Sequence, residues 1–245
     1  GCALGCTFCA TGEMGFNRHL EVGEIVDQVL VWNRHLKHES MKTLKHENKN
    51  SDRVGNVVLM GMGEPFLNYE NVMDAVRFMN SEEGLGIGAR KISISTSGIV
   101  PGIEKLADED IQVNLAISLH APNGRLRTEL MPINVSYPLD KILGAVDRYI
   151  EKTNRKVMFE YLMIDGVNDG MGHARELIEI FKNKPLYMLN LITYNPTGIY
   201  KPSHPEQIER FKSILEKNHI NVTLRYGFGT DIHAACGQLA NKVGK

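Results

Sequence analysis

Three of the four cysteines in this 245-residue chain lie within its first nine residues. Cys2, Cys6 and Cys9 follow a CxxxCxxC spacing, and thiolates this close in sequence can converge on one metal centre. Structural zinc normally takes four ligands, whereas an iron–sulfur cube held by three thiolates keeps one iron free to bind another molecule. The spacing therefore favours an iron–sulfur cluster. It leaves open a zinc site completed by a distant histidine, or a chance group of reduced thiols.

Polar residues also stand at the ends of several short apolar runs. They are Gly63 with Glu64, Ser95, Ser118 with His120, and Asn195. Gly, Ser and Asn end strands in many proteins as turn residues, so each one alone indicates little. Beside a cluster with an open iron they suit S-adenosylmethionine (SAM), because Glu64 could accept hydrogen bonds from its amino group. The serines and Asn195 could position its ribose and carboxylate. One electron would then cleave the sulfonium and give a 5′-deoxyadenosyl radical.

The elements that must position these residues alternate between strand and helix. The predicted strands are 56–60, 91–95, 113–119, 156–164, 186–193 and 221–226. Helical spacing of apolar residues appears from Val22 and around 71–79, 139–150, 177–181 and 208–215. This alternation predicts an α/β fold with parallel strands, and six strands favour a partial (β/α)6 barrel over an open doubly wound sheet. A barrel would gather the polar strand ends at one mouth, facing the cysteine loop.

Two local predictions concern residues outside the strands. Asn168 or Asp169, in the turn after the fourth strand, could cap the next helix with a side-chain oxygen. The stretch from about 34 to 53 lacks apolar periodicity, which predicts a helix end followed by a surface loop.

The composition indicates one globular domain over residues 1–245, with 42% hydrophobic and 23% charged residues. Four clustered cysteines do not resemble a secreted disulfide framework, and no apolar run reaches the roughly 18 residues of a membrane span. We therefore predict a cytoplasmic protein without a membrane partner. The net charge of −1 argues against nucleic-acid binding through bulk charge but permits a local basic face. Because the chain begins at Gly1 inside its best motif, we expect it to be a piece of a longer protein.

The fourth cysteine, Cys236, lies in the segment DIHAACGQL, far from the other three. A lone cysteine is usually a small buried hydrophobic residue, but Gly237 and the polar neighbours here suit an accessible, reactive thiol. The segments GCALGCTFCATGEMGFNRHL, GMGEP, STSGIVP, SLHAPN, GVND, YNP and DIHAACGQL occur in this order. With them, essentially the whole chain resembles the radical SAM methyltransferases of ribosomal RNA.

The resemblance implies a role for individual residues. Cys2, Cys6 and Cys9 would hold a [4Fe-4S] cluster, and Cys236 would accept a methyl group that then passes, as a carbon radical, to an adenine ring. The residues that would contact SAM are Gly63, Glu64, Ser95, Ser118, Leu119, His120 and Asn195. The resemblance further implies a reductase or flavodoxin-type electron donor and a monomeric enzyme acting on 23S ribosomal RNA.

Three of these motifs bear on which carbon of the adenine ring is methylated. GMGEP, STSG and SLHAP match the branch of the family that methylates adenine C2, which also accepts certain transfer RNAs as substrates. The antibiotic-resistance branch methylates C8 of the same adenosine and tends to vary at those places. We therefore predict a C2 methyltransferase, with C8 methylation as the alternative. Arg125 and Arg127, the loop from Lys37 to Lys49, and Arg155 with Lys156 are candidate phosphate contacts.

The family also has parts that do not occur in this sequence. They are a second catalytic cysteine before the cluster loop, a first barrel strand and an N-terminal helical domain. A chain without them is expected to bind the cluster and SAM but to turn over poorly. Other open alternatives are a different radical enzyme such as an activase, a non-enzymatic zinc or iron–sulfur domain, and an inactive RNA-binding fragment.

Overall fold

Six parallel strands form one sheet in which the spatial order of the strands is their order along the chain. The computed structural model describes residues 1–43, 52–225 and 237–239. The strands are β1 (Val57–Leu59), β2 (Ile92–Thr96), β3 (Asn114–Ser118), β4 (Val157–Met163), β5 (Tyr187–Thr193) and β6 (Val222–Arg225). A doubly wound sheet would reverse its direction of growth at a switch point, and this sheet does not. The predicted α/β partial (β/α)6 barrel is therefore confirmed.

Helices follow the strands and cover the outside of the sheet. Within the described residues they are α1 (Ala10–Glu13), α2 (Val22–Thr43), α3 (Tyr69–Asn80), α4 (Val100–Ala107), α5 (Gly124–Leu130), α6 (Leu139–Thr153), α7 (Met171–Phe181) and α8 (Pro205–Lys217). Short 3-10 turns occupy Pro65–Asn68, Ala89–Lys91 and Pro132–Val135. None of the helices in these ranges is long and apolar enough to cross a membrane.

Helix α2 is longer than its apolar periodicity predicts. It runs to Thr43, whereas the sequence pattern indicated a helix end near Arg34. The residues after Arg34 include Leu36, Lys37 and Glu39, which favour helix without any need for a buried face. The early helix end was therefore a wrong prediction, because an exposed helical segment leaves no periodic signal.

The two faces of the sheet differ in chemistry. Residues such as Ile92, Ile94 and Ile117 are fully buried and belong to the main core beneath the helices. The opposite, inward face carries polar side chains that bond from strand to strand. Asn190 Nδ2 donates to Glu160 Oε2 at 2.8 Å, and Thr223 Oγ1 donates to Asn190 Oδ1 at 3.0 Å. The inside of the barrel is therefore partly polar, and its upper part opens at the carboxyl ends of the strands.

Candidate functional site

The cysteine loop is a tight turn at the mouth of the barrel. Cys9 N donates to Cys6 O at 3.2 Å, which closes a turn between two of the cysteines. Thr7 N donates to Leu130 O at 3.0 Å and ties the loop to the end of α5. Gly12 packs so closely on the loop that a Cβ atom there would lie 3.2 Å from the backbone nitrogen of Cys6. These contacts fix the shape of the loop through its own backbone and through α5.

A second set of bonds joins the loop region to residues near the other end of the sequence. Ala10 N donates to Gly237 O at 2.8 Å, and Thr11 Oγ1 donates to Leu239 O at 2.5 Å. Gly237 directly follows Cys236 in the sequence, although Cys236 itself lies outside the described residues. The DIHAACGQL segment thus meets the CxxxCxxC loop through its last three residues, 237–239.

Most of the predicted site residues line one cavity of about 390 Å³. It is lined by Cys2, Cys6, Cys9, Gly63, Glu64, Ser95, Ser118, His120 and Asn195, and also by Gly237 and Leu239. Its volume lies in the range of small-molecule sites. Leu119 is placed differently, because its side chain is fully buried in the main core.

The three thiols are half-buried and influence one another electrostatically. Burial raises the pKa of Cys6 to about 12, and the nearby Cys2 and Cys9 add to this rise. Burial also raises the pKa of Cys2, with further contributions from Cys9 and Glu64. Cys2 and Cys6 therefore ionise readily only when a cation offsets the cost of burying their thiolates, and metal binding provides that cation.

Glu64 joins the ends of two strands through its carboxylate. It is 8% exposed, its Oε1 accepts a hydrogen bond from Phe66 N at 3.0 Å, and its Oε2 accepts one from Ser97 N at 2.7 Å. Burial raises the pKa of Glu64, while these hydrogen bonds oppose the rise. The preceding Gly63 has a φ of 101°, a conformation that glycine adopts without strain, and it turns the chain toward the cavity. One role of Glu64 is therefore to hold the loops after β1 and β2 together.

His120 is a neutral imidazole in the wall of the cavity. Burial, with the charge of Arg127 as a second cause, lowers the pKa of His120 to about 3. Its Nδ1 accepts a hydrogen bond from Leu162 N at 3.2 Å, so the ring proton belongs on Nε2. The ring of Phe8 packs edge-on against it at 4.9 Å. The backbone φ of His120 is 54°, a left-handed conformation that its surroundings must hold in place.

Asn168 provides part of that support. It is fully buried, and its Nδ2 donates to His120 O at 2.9 Å and to Leu162 O at 2.6 Å. Its Oδ1 accepts from Ile164 N at 2.8 Å. The predicted helix cap at Asn168 or Asp169 is wrong, because Gly170 occupies the N-cap of α7 and Asn168 instead connects the ends of β3 and β4.

Two charged residues differ from what the sequence indicated. Arg127, a candidate phosphate contact, is fully buried and therefore cannot reach a phosphate on the surface, whereas Arg125 is exposed.

Glu160 was not predicted as a site residue, yet it lines the cavity with only 4% of its surface exposed. It pairs in register with Ser118, and burial raises its pKa. A single carboxylate inside the apolar run VMFEYLM was the signal that could have revealed it.

Comparison with known families identifies the fold and the loop together. Residues 1–178 match the model of the Radical SAM superfamily, a stretch that includes the three cysteines and the first four strands. The chain belongs to the radical SAM superfamily. The resemblance stated from the motifs is thereby confirmed at the level of the superfamily.

Individual radical SAM proteins resemble the chain closely. It is 50% identical over 246 residues to a protein of Enterococcus faecalis named "Probable dual-specificity RNA methyltransferase RlmN", covering 99% of this chain and 66% of the relative. A crystal structure of a radical SAM methyltransferase from Sphaerobacter thermophilus superposes with a TM-score of 0.89 at 46% identity, covering 97% of this chain and 67% of that one. The chain thus spans about two thirds of the length of the curated relatives it matches.

A more distant solved structure has a similar fold but little sequence identity to this chain. A domain of a pyruvate-formate lyase-activating enzyme from Bacteroides vulgatus superposes with a TM-score of 0.55 at 18% identity, covering 70% of this chain and 99% of that domain. At this identity the likeness concerns the fold alone. The activase alternative therefore has no support beyond the common radical SAM architecture.

The donor set of the site fits the cofactors of a radical SAM protein. Within the described ranges, no group of three His, Cys, Asp or Glu side chains is arranged to hold a single metal ion. A [4Fe-4S] cluster makes a different demand, because each thiolate binds its own iron and the three sulfur atoms need not share one ion. Three thiols of one loop line one cavity together with the carboxylate of Glu64, Ser95 and Ser118, and they meet that demand.

Proposed function

We propose that this chain forms the catalytic core of a radical SAM methyltransferase that methylates C2 of an adenosine in 23S ribosomal RNA and in transfer RNA. One observation carries the proposal: Gly237 and Leu239 line the same cavity as Cys2, Cys6 and Cys9. A cluster site and a methyl-carrying thiol must serve the same small volume if a radical formed there is to reach the methyl group. Cys236 is adjacent to Gly237 in the sequence, and we assign it as the methyl acceptor.

The similarity to named methyltransferases supports the reaction class. The Enterococcus faecalis relative is named as a dual-specificity RNA methyltransferase, and it matches this chain from the cysteine loop through the DIHAACGQL segment. The Sphaerobacter thermophilus protein is a radical SAM methyltransferase with the same fold over 97% of this chain. The choice of C2 rests on the GMGEP, STSG and SLHAP motifs.

In this proposal Cys2, Cys6 and Cys9 hold the [4Fe-4S] cluster. The SAM-binding residues are Gly63, Glu64, Ser95, Ser118, Leu119, His120 and Asn195. When bound, the cluster and SAM supply one-electron chemistry, which a ring carbon that is not a nucleophile requires for methylation. Leu119 would contribute through its backbone, because its side chain is buried in the core.

The charges of the cavity suit a ligand with a cationic sulfonium and an amino group. The carboxylate of Glu64 lines the cavity and accepts backbone hydrogen bonds from Phe66 and Ser97, and as an acceptor it suits the amino group of SAM. His120 is neutral and does not repel the sulfonium. The apolar side chains of Leu4 and Phe8 line the cavity and limit the access of water to it.

Two partners complete the proposal. The reaction takes its electron from an external protein, for which a reductase or a flavodoxin-type donor is the appropriate class. Because the proposed substrates are RNA, we propose that the protein acts in the cytoplasm. We further propose that residues 1–245 act as one domain of a monomeric enzyme.

Nucleoside mass spectrometry tests the proposal directly. Cells that lack their own enzyme receive the full-length protein, and the large-subunit ribosomal RNA is digested and compared with RNA from cells without it. We expect 2-methyladenosine to appear. The Cys236→Ala variant should give no product while retaining iron, and Cys6→Ala should lose both.

Two other results would change the assignment. If 8-methyladenosine appeared, the protein would act on C8 and the three motifs would not report the target carbon. If neither product appeared while the purified protein carried its cluster, the cofactor assignment would stand and the RNA substrate would be wrong.

A further inference from the structure

Arg127 is a buried cation whose hydrogen-bond partners among the described residues are all neutral. No part of its side chain is exposed. Its Nη1 donates to Asn134 Oδ1 at 2.9 Å, and its Nη2 donates to the carbonyl oxygens of Ser97 at 2.6 Å and Ser118 at 3.1 Å. Its Nε is buried and has no acceptor within the described residues. The guanidinium therefore lies behind the cavity wall that Ser97 and Ser118 help to form.

A buried charge of this kind is strongly unfavourable unless an anion compensates it. Burial lowers the pKa of Arg127 only to about 10, so the side chain remains a cation at neutral pH. Among the described residues its hydrogen bonds involve no carboxylate. Within the part of the chain that the structure describes no hydrogen-bonded carboxylate compensates this charge, and an anion bound in the cavity would do so.

The cysteine loop, whose thiolates would carry negative charge when they bind a cluster, lines the same cavity as Ser97 and Ser118. Helix α5, which carries Arg127, is attached to that loop by the hydrogen bond from Thr7 N to Leu130 O. Cys6 and Leu130 also belong to the same small apolar cluster at the mouth of the barrel.

We infer that Arg127 is the counter-charge of the anionic iron–sulfur cluster and raises its reduction potential. This inference rests on the cluster site proposed above. A thiolate-bound [4Fe-4S] cluster gains one negative charge on reduction, and a fixed cation behind a low-dielectric wall stabilises the reduced form more than the oxidised form. Arg127 thus acts on the cluster through its charge and does not itself touch the substrate.

Potentiometry on the reconstituted protein tests the inference. Iron and sulfide are first counted, and the midpoint potential is then measured by dithionite titration with EPR detection. We expect Arg127→Met to retain iron and to shift the midpoint to a more negative potential. Arg127→Lys, which keeps the charge, should stay close to the wild type. Arg125→Met is the matched control on the same helix, and its potential should not change.

A second variant covers the case in which Arg127→Met does not fold. Asn134→Asp keeps the acceptor for Nη1 but places a negative charge against the guanidinium, so the potential should again become more negative. An unchanged potential in either Arg127→Met or Asn134→Asp would overturn the inference while leaving the cluster site intact. Equal shifts in Arg127→Met and Arg127→Lys would also overturn it, because the hydrogen bonds to Ser97 and Ser118 would then set the potential. A wild-type protein that assembles no cluster would overturn both the inference and the proposed function.

Discussion

His120 combines three properties that are rarely found in one residue: burial, a neutral ring and a left-handed backbone. A histidine that is buried without charge must take up a proton when the chain unfolds in acid. Its folded pKa of about 3 lies below the unfolded value of about 6.5, so its contribution to stability is present above pH 6.5. That contribution is lost progressively as the pH falls from about 6.5 toward 3.

We predict that His120→Asn reduces the acid sensitivity of the fold. Asn tolerates the left-handed backbone but does not titrate. The wild type should lose up to about 1.4 kcal/mol of unfolding free energy per pH unit more than the variant in this window. Urea unfolding at several pH values measures the difference. His219→Asn is the matched control, because His219 has a φ of 59° but is exposed. Equal slopes for wild type and His120→Asn would contradict the prediction.

Glu64 supports a second prediction at the scale of one side chain. Glu64→Gln keeps the shape of the residue but sets an amide NH2 against one of the two backbone donors, Phe66 N or Ser97 N. Leaving that buried donor without an acceptor should lower the unfolding free energy by about 1–3 kcal/mol, measured in urea at pH 7. Glu70→Gln on α3 is the control, since its side chain is 75% exposed and its change should stay within about 0.5 kcal/mol. A similar loss in both variants would argue against the role of Glu64 between the strands.

At the scale of elements, Asn168 connects the ends of β3 and β4. Asn168→Ala removes three hydrogen bonds and leaves the backbone groups of His120, Leu162 and Ile164 without these partners. We expect the unfolding free energy to fall by about 2–4 kcal/mol, as for other broken buried networks. Asn56→Ala, at an exposed position, should change it by less than about 0.5 kcal/mol. A loss below 1 kcal/mol in Asn168→Ala would mean that water or a local shift replaces the missing bonds.

The strands could be predicted from the sequence to within a residue or two because each combines apolar, often β-branched residues with a turn that ends it. The short helices α4 and α5 could not, because they have eight and seven residues. Pro101 and Gly102 also interrupt the pattern in α4. Asn168 shows a different limit. A turn asparagine resembles a helix cap in sequence, and only the spatial proximity of His120 makes it a connection between strands.

The candidate site was predictable to a similar extent, and for a similar reason. Motif residues at strand ends meet at one mouth because parallel strands end on the same side, and most of the predicted residues do line one cavity. Glu160 had a signal in the single carboxylate of VMFEYLM, but its place in the cavity depends on the register between β3 and β4. Arg127 had no such signal, because its burial depends on how α5 packs behind the cavity wall. Cys236 lies outside the described residues, so its assignment stays a prediction.

At the scale of the whole molecule, the bond from Thr11 Oγ1 to Leu239 O spans 228 positions in sequence. We predict that Thr11→Val loosens the junction between the cysteine loop and residues 237–239. The amide of Ala10, which donates to Gly237 O, should exchange its hydrogen faster, and the unfolding free energy should fall by about 1 kcal/mol. Hydrogen–deuterium exchange measures the first effect.

Thr153→Val is the control for this variant. It also removes a bond from a threonine hydroxyl to a carbonyl oxygen, that of Tyr149, but this bond lies within one turn of α6. The exchange of Ala10 should therefore keep its wild-type rate in Thr153→Val. If Thr11→Val left that rate unchanged as well, the long-range bond would not hold the junction closed.

The same junction has a consequence for the order in which the protein matures. The ribosome adds Cys2, Cys6 and Cys9 to the chain long before Leu239, which lies 228 positions after Thr11. Contacts of such separation form late in folding, because the intervening strands must first be in place. Until these contacts form, the three thiols of the growing chain lack the neighbouring Gly237 and Leu239, which line the cavity with them. Insertion of the proposed cluster would then follow the closing of this junction, and so would come late in the maturation of the protein.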